Sequence, residues 1–136
     1  MRITATVRNQ PGQHAVALRT GEQPAQTLTV PAHASGQGSA VNGGQFLMLA
    51  LATCYCNDLY REAKRLGIPI DAVEVEAEAE FAGIGLAATD IRYRAAVRSP
   101  ASDAEIQRLL VETDAVAEVH NTLRGGAAVT FLVARE

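Results

Sequence analysis

The first third of the chain is patterned as short strands. Apolar and polar residues alternate over residues 3–8, which predicts a half-buried strand, and turn-forming residues follow at positions 9–12. Residues 14–18 and 27–30 predict two more short strands, separated by a turn near Gly21. Together these segments predict an N-terminal β-meander.

A long loop and a long helix follow the meander. Residues 31–44 are rich in Gly, Ser, Ala and Asn and have no hydrophobic period, so they predict a loop. Residues 44–66 predict a helix, and Gly67 follows as the residue that ends it. Because the first half of this helix is apolar nearly all round, we expect it to be buried inside the fold or against a partner chain.

Two alternating segments predict a second sheet. Residues 73–80 alternate aliphatic residues with glutamate, and residues 91–98 carry arginines at 92, 94 and 98. If the two strands pair antiparallel, the glutamates face the arginines and form cross-strand ion pairs. The glutamate row is therefore interpreted as a solvated sheet face and not as a metal site.

The last third predicts helices and a final strand. Ser102 and Glu105 have the spacing of a helix capping box, and residues 115–123 predict a further short helix. A glycine pair then precedes residues 127–133, which predict the last strand. This order of elements favours an α+β fold, and nothing divides residues 1–136 into more than one domain.

Composition narrows the class of protein. The chain has 136 residues, of which 48% are hydrophobic and 4% aromatic, so its core must consist mainly of Ala, Val, Leu and Ile. A net charge of -3 without any run of Lys or Arg argues against nucleic acid as a partner. The sequence shows neither a membrane-spanning stretch nor a signal-peptide core, so we expect a soluble, cytoplasmic protein with reduced cysteines.

The two cysteines call for separate interpretations. Cys54 and Cys56 point about 200° apart on a helix, so they can neither form a disulfide nor share a metal ion without breaking it. No metal and no other cofactor is expected. Cys54 lies where the helix surface changes from apolar to polar, near Arg61, whose charge is expected to lower the pKa of the thiol. Cys56 is expected to be a small hydrophobe on a core stripe, shared with Leu49, Ala52, Leu59, Tyr60 and Ala63.

Residues 42–54, ending in an alanine-rich run and Cys54, resemble the central signature of the OsmC/Ohr family of hydroperoxide reductases. In that family an Asn-Pro-Glu-Glu-Leu-like stretch opens a long buried helix, and the attacking cysteine follows. Residues 58–67 and the order of the later elements are similar too, so the resemblance covers most of the chain. It implies an OsmC-like α+β fold and an intertwined homodimer with two sites built from both chains.

The resemblance also implies an activity, the thiol-dependent reduction of organic or inorganic hydroperoxides in oxidative-stress defence. It assigns the attacking role to Cys54, which an arginine and a glutamate activate in the family. The family arginine comes from the N-terminal meander, where Arg8 and Arg19 are candidates. The family glutamate is replaced, since Gln45 stands at the matching position.

A second departure concerns the resolving cysteine of the family. It lies in a Cys-Pro-Val-His-like segment that matches residues 117–120, where Ala117 replaces it. His120 is then either a general base near Cys54 or a residue on the helix surface. Three functions stay open: a one-cysteine peroxidase reduced by an external thiol, a degenerate dimer that binds a small hydrophobic ligand, and a redox sensor.

Overall fold

The computed structural model describes residues 1–133, which fall into two compact units. The N-terminal unit is Met1–Phe46, and the C-terminal unit begins at Leu47. In chain order the elements are β1 (Ile3–Gln10), β2 (Gln13–Thr20), β3 (Gln26–Leu28), α1 (Gly43–Leu66), β4 (Ala72–Glu80), β5 (Thr89–Arg98), α2 (Asp103–Val116) and α3 (Glu118–Arg124). This mixture of strands and helices confirms the predicted α+β class.

The N-terminal unit is built on an antiparallel sheet with strand order β1-β2-β3, as the predicted meander requires. β2 is longer than the predicted segment 14–18, and β3 ends earlier than the predicted segment 27–30. The predicted loop is also confirmed, with an isolated bridge between Ala32 and Ser39. The Asn9 amide fixes this loop, because it donates to the Gly38 carbonyl at 3.3 Å and accepts from the Gly38 N–H at 3.0 Å.

Local capping explains where α1 begins and ends. At its start the Gln45 N–H donates to Asn42 Oδ1 at 2.8 Å, and the Asn42 N–H donates to Gln45 Oε1 at 2.9 Å. At its end Gly67 has a φ of 70°, and the Ile68 N–H donates to the Ala63 carbonyl at 2.9 Å. The helix predicted over residues 44–66 is thereby confirmed.

The C-terminal unit places α1, α2 and α3 with an antiparallel β4–β5 pair. The predicted meeting of glutamate and arginine rows is confirmed, since Arg94 contacts Glu76 at 2.8 Å and Arg92 contacts Glu78 at 3.2 Å. On the core side, aliphatic residues of both strands pack against the buried cluster of Tyr55, Leu59, Ala63, Ile68, Leu109 and Ala117. Within residues 1–133, no helix is long and apolar enough to cross a membrane.

Capping also defines the later helices. Ser102 and Glu105 form the predicted capping box at the start of α2. Gly126, with a φ of 62°, follows the end of α3, where the sequence predicted a chain break at the glycine pair.

The buried face of α1 differs from the predicted core stripe. Leu49 and Tyr60 were placed on that stripe but are 55% and 49% exposed, and Cys56 is only partly buried. The buried residues of the helix are Leu51, Tyr55, Asp58, Leu59, Glu62 and Ala63. The prediction was wrong because two carboxylates, Asp58 and Glu62, lie on the buried face, where arginines neutralise both of them.

The predicted final strand over residues 127–133 is also wrong. These residues form no strand, and the side chains of Val129, Phe131, Leu132 and Val133 are 80–98% exposed. A strand needs a neighbour to receive its backbone hydrogen bonds, and neither sheet of the described chain offers this segment one.

His120 is a buried polar residue of the C-terminal unit. It is 3% exposed, and neither ring nitrogen has a hydrogen-bond partner among the described residues. Its ring packs on Tyr93 and Tyr55 at centroid distances of 4.4 and 5.8 Å. Burial, aided by the charge of Arg124 and opposed by that of Asp114, lowers the pKa of His120 and keeps the imidazole neutral. Of the two alternatives for His120, a residue on the helix surface is therefore wrong, and a general base near Cys54 stays a prediction.

We expect this histidine to make stability depend on pH. Below about pH 6.5, the ordinary pKa of histidine, the unfolded chain binds a proton that the folded chain does not. The free energy of unfolding should therefore decrease as the pH is lowered from 6.5 to the lowered pKa of folded His120. Urea unfolding above and below pH 6.5 measures the difference in the free energy of unfolding between the two pH values. His120→Leu should reduce this difference.

The matched control is His33→Leu, which removes an exposed imidazole and should leave the pH difference in place. An equal difference in wild type and His120→Leu would contradict the prediction.

Candidate functional site

Cys54 lies near the middle of α1, partly buried, between two carboxylates. Its Sγ is 3.5 Å from Asp58 Oδ2, one turn further along the same helix. It is 3.8 Å from Glu118 Oε2, at the start of α3. The thiol proton therefore has an acceptor on each of two elements.

Arg61 lies beside this site, but its nitrogens bind carboxylates and not the sulfur. Its Nη1 donates to Asp58 Oδ1 at 2.8 Å and to Glu118 Oε1 at 3.3 Å. The Asp58 side chain is 7% exposed and that of Glu118 is 67% exposed, so one arginine joins a buried and an open carboxylate. Each of these carboxylates uses one oxygen for Arg61 and the other for the thiol.

The surroundings of Cys54 favour the neutral thiol. Burial raises the pKa of Cys54, and the charges of Asp58 and Glu118 raise it further. The backbone of Val119 acts in the opposite sense by a hydrogen bond to the sulfur, which lowers the pKa. The expectation that Arg61 lowers the pKa of this thiol is wrong, because the two carboxylates lie between its charge and the sulfur.

The two carboxylates differ in their affinity for a proton. Burial raises the pKa of Asp58, Arg61 opposes this, and the charge of Glu118 adds to it. The pKa of Glu118 is lowered by a backbone hydrogen bond at the start of α3, by Asp58 and by Arg61. The carboxylate whose pKa is raised, Asp58, is also the one closer to the sulfur.

The same three side chains have the geometry of a metal-binding group. Cys54 Sγ and one carboxylate oxygen each from Asp58 and Glu118 lie within 4.8 Å of one another. The guanidinium of Arg61 already supplies a positive charge to both carboxylates. The sequence argument excluded a metal shared by both cysteines and a metal on the glutamate row, but it did not consider this group, so the expected absence of a metal stays a prediction.

The structure describes each of the other predicted site residues within its own unit. Arg8 and Arg19 lie on β1 and β2 of the N-terminal unit, where they line one groove of about 430 Å³. Gln45 caps α1, as described above. His120 lies among the aromatic rings of the core. That Arg8, Arg19, Gln45 and His120 serve the chemistry of Cys54 stays a prediction.

Sequence reasoning missed the part played by Glu118. Asp58 could have been found, because a residue four positions after Cys54 on a helix faces it. Glu118 is 64 positions away in sequence, and no local pattern indicates that it approaches Cys54.

Comparisons with known proteins agree with this arrangement of elements. The family model for OsmC-like protein matches residues 36–131, so the chain belongs to the OsmC-like family. No curated protein matches the chain.

Several solved structures have the same fold. An OsmC-like protein from Mycoplasma pneumoniae is 21% identical, with a TM-score of 0.63, over 91% of this chain and 86% of that one. An organic hydroperoxide resistance protein from Elizabethkingia anophelis is 19% identical, with a TM-score of 0.61, over 92% and 89%. One from Legionella pneumophila is 17% identical, with a TM-score of 0.60, over 92% and 90%. At these identities the similarity establishes the fold.

The charges around Cys54 predict how its reactivity changes when they are removed. In a Cys56→Ser background, Glu118→Gln or Asp58→Asn should speed alkylation by iodoacetamide severalfold at neutral pH. Each change removes a carboxylate that raises the pKa of the thiol, and the thiolate is the reacting form. Rates measured across a pH series give the midpoint of ionisation in each variant.

Glu74→Gln is the matched control, because it removes the same charge from an exposed position on β4. A wild-type midpoint below that of free cysteine would contradict the interpretation and would indicate a cation close to the sulfur.

Proposed function

We propose that this protein reduces hydroperoxides through Cys54, with Asp58 as the group that accepts and returns the proton. The observation that carries the proposal is the contact of the thiol with Asp58 Oδ2, while Arg61 holds the other oxygen of the same carboxylate. A nucleophile, a base and a residue that orients the base thus lie in one row, which is the arrangement of activated nucleophiles. Membership of the OsmC-like family and neighbours named organic hydroperoxide resistance proteins support the substrate class.

In the first step Cys54 attacks the outer oxygen of the peroxide. The S–H proton passes to Asp58, a bond forms between sulfur and oxygen, and the O–O bond breaks. The leaving oxygen takes the proton from Asp58, so the products are a sulfenic acid and an alcohol. Sulfur is oxidised by two electrons and the peroxide is reduced by two.

The second step requires a thiol from outside the chain. The position expected for the resolving cysteine holds Ala117, which is fully buried. Cys54 and Cys56 are free and lie two positions apart on one helix, so they point away from each other. An external thiol therefore completes the cycle in this proposal, and the predicted cytoplasmic location would provide one.

The proposal predicts that Cys54 gains one oxygen atom when the reduced protein meets a slight excess of cumene hydroperoxide. Intact mass measured over time should show this gain in wild type and in Cys56→Ser, and not in Cys54→Ser. Asp58→Asn should slow the oxidation by roughly tenfold or more, because it removes proton transfer to the leaving oxygen. Turnover with a thiol then separates an enzyme from a redox sensor.

The comparison with alkylation makes the test of Asp58 specific. Asp58→Asn should speed alkylation and slow oxidation by peroxide, whereas a residue with a purely structural role would change both rates in the same direction. No gain of oxygen at Cys54 within minutes would rule out the redox proposal.

A pocket in the C-terminal unit favours a second candidate function, the binding of a small hydrophobic ligand. Leu51, Ile91 and Leu123 give it apolar walls, and Tyr93, His120 and Arg124 complete its lining. Its volume of about 240 Å³ suits a small molecule. If Cys54 does not react with peroxide, this is the function that the geometry supports.

We also propose that the protein acts as a homodimer. Apolar side chains are exposed in both units, including Ile3 at 67%, Val7 at 61% and Leu49 at 55%. The C-terminal segment 127–133 adds exposed apolar side chains and has no strand partner among residues 1–133. Exposed apolar surface of this extent is typical of an interface between chains.

Light scattering coupled to size-exclusion chromatography should therefore give twice the chain mass of 14.4 kDa. Leu49→Arg should shift the mass toward the monomer, because it replaces an exposed apolar side chain of α1 with a charged one. Lys64→Glu alters charge at an exposed site near the other end of the helix and serves as control. A wild-type protein that stays monomeric at all concentrations would contradict the proposal.

A further inference from the structure

The charges at Cys54 also select among the thiols that could reduce it. This inference rests on the proposed function, since it concerns the second half of the same cycle. An incoming thiol must bring its sulfur to the Cys54 sulfur, and it therefore approaches Asp58 and Glu118 at 3.5 and 3.8 Å from that atom. Any charge on the incoming molecule is held close to these two carboxylates.

The ionic network around the site has an excess of negative charge. Arg61 joins Asp58, Glu118 and Glu62, and Arg65 joins Glu62 to Glu112, which also binds Arg108. Four carboxylates thus face three guanidinium groups. Every one of these guanidinium groups is bound to carboxylate oxygens, and the charged groups that contact the sulfur, Asp58 and Glu118, are both negative.

The exposed carboxylate lies on the open side of the site. The Glu118 side chain is 67% exposed, whereas that of Asp58 is 7% exposed. A molecule from solvent therefore meets the Glu118 charge before it reaches the sulfur. At separations of a few ångströms, and with partial screening by solvent, one such charge changes the relative rates of oppositely charged reagents by about tenfold.

We propose that the thiol that reduces oxidised Cys54 is cationic, such as a small aminothiol, and that anionic thiols are disfavoured. The first molecule of the aminothiol attacks the sulfenic sulfur, a mixed disulfide forms and the hydroxyl leaves as water with the thiol proton. A second molecule attacks the sulfur that the aminothiol contributed to the mixed disulfide. This returns the Cys54 thiol and releases the disulfide of two aminothiols, so the two electrons taken from Cys54 are restored.

The test measures charge selectivity at Cys54 without any peroxide. In the Cys56→Ser background, Cys54 is modified with a trimethylammonium methanethiosulfonate and with a sulfonate methanethiosulfonate. The ratio of the two rates is divided by the same ratio for free cysteine, and intact mass follows each reaction. We expect the normalised ratio to favour the cation by about tenfold at low salt and to fall as salt is added.

Two variants locate the source of the selectivity. Glu118→Gln should reduce the normalised ratio severalfold, because it removes the open carboxylate, whereas Glu74→Gln on β4 should leave it unchanged. A ratio near one, or a preference for the anion, would overturn the inference, and an anion preference would indicate an arginine from another chain at the site.

A second arm uses the oxidised protein. After treatment with cumene hydroperoxide, the rate at which each thiol reduces Cys54 is measured and corrected for the thiolate fraction of that reagent. The corrected rate should be highest for cysteamine, lower for 2-mercaptoethanol and lowest for 2-mercaptoethanesulfonate. The reverse order would overturn the inference even if the peroxidase reaction is real. If no sulfenic acid forms, the proposed function fails, and the methanethiosulfonate ratio alone decides whether the site selects cations.

Discussion

Two carboxylates on the buried face of α1 need positive charge close by, and this need determines the chemistry around Cys54. Asp58 and Glu62 are 5% and 7% exposed, and burial of an unpaired carboxylate costs several kcal/mol. Arg61 and Arg65 neutralise them from the next turn of the same helix. Arg61 is therefore bound to carboxylates, and the hydrogen-bond partners of the Cys54 side chain are the acceptors Asp58 and Glu118.

The same ionic pairs connect the helices of the C-terminal unit. Arg61 reaches Glu118 on α3, and Arg65 reaches Glu112 on α2 at 2.6 Å. Within the core, the Tyr55 hydroxyl donates to the Leu110 carbonyl of α2 at 2.7 Å. The last two contacts hold α2 against α1, and the His120 ring of α3 packs on Tyr55 of α1 at 5.8 Å. The position of Glu118 beside the sulfur is therefore supported by the packing of the unit as well as by the exposed pair with Arg61.

Membership of the OsmC-like family explains the architecture, and the departures from the family pattern define what is particular to this chain. Ala117 is buried where the sequence pattern expects a resolving cysteine, and Gln45 is used for capping where a glutamate is expected. A carboxylate that is bound to an arginine nevertheless contacts Cys54, since Asp58 and Arg61 of the same helix supply this pair. Our proposals give these two residues the activating role.

The sequence by itself determined the elements whose causes are local. The capping boxes at Asn42 and Ser102, the end of α1 at Gly67, and the facing rows of glutamate and arginine depend on residues a few positions apart or on strict alternation. Only the tertiary structure decided which face of α1 is buried, that residues 127–133 have no strand partner in the described part of the chain, and that Glu118 approaches Cys54. These features depend on contacts between segments far apart in sequence, which no local pattern encodes. For that reason the direction in which the pKa of the Cys54 thiol is shifted follows only from the folded chain.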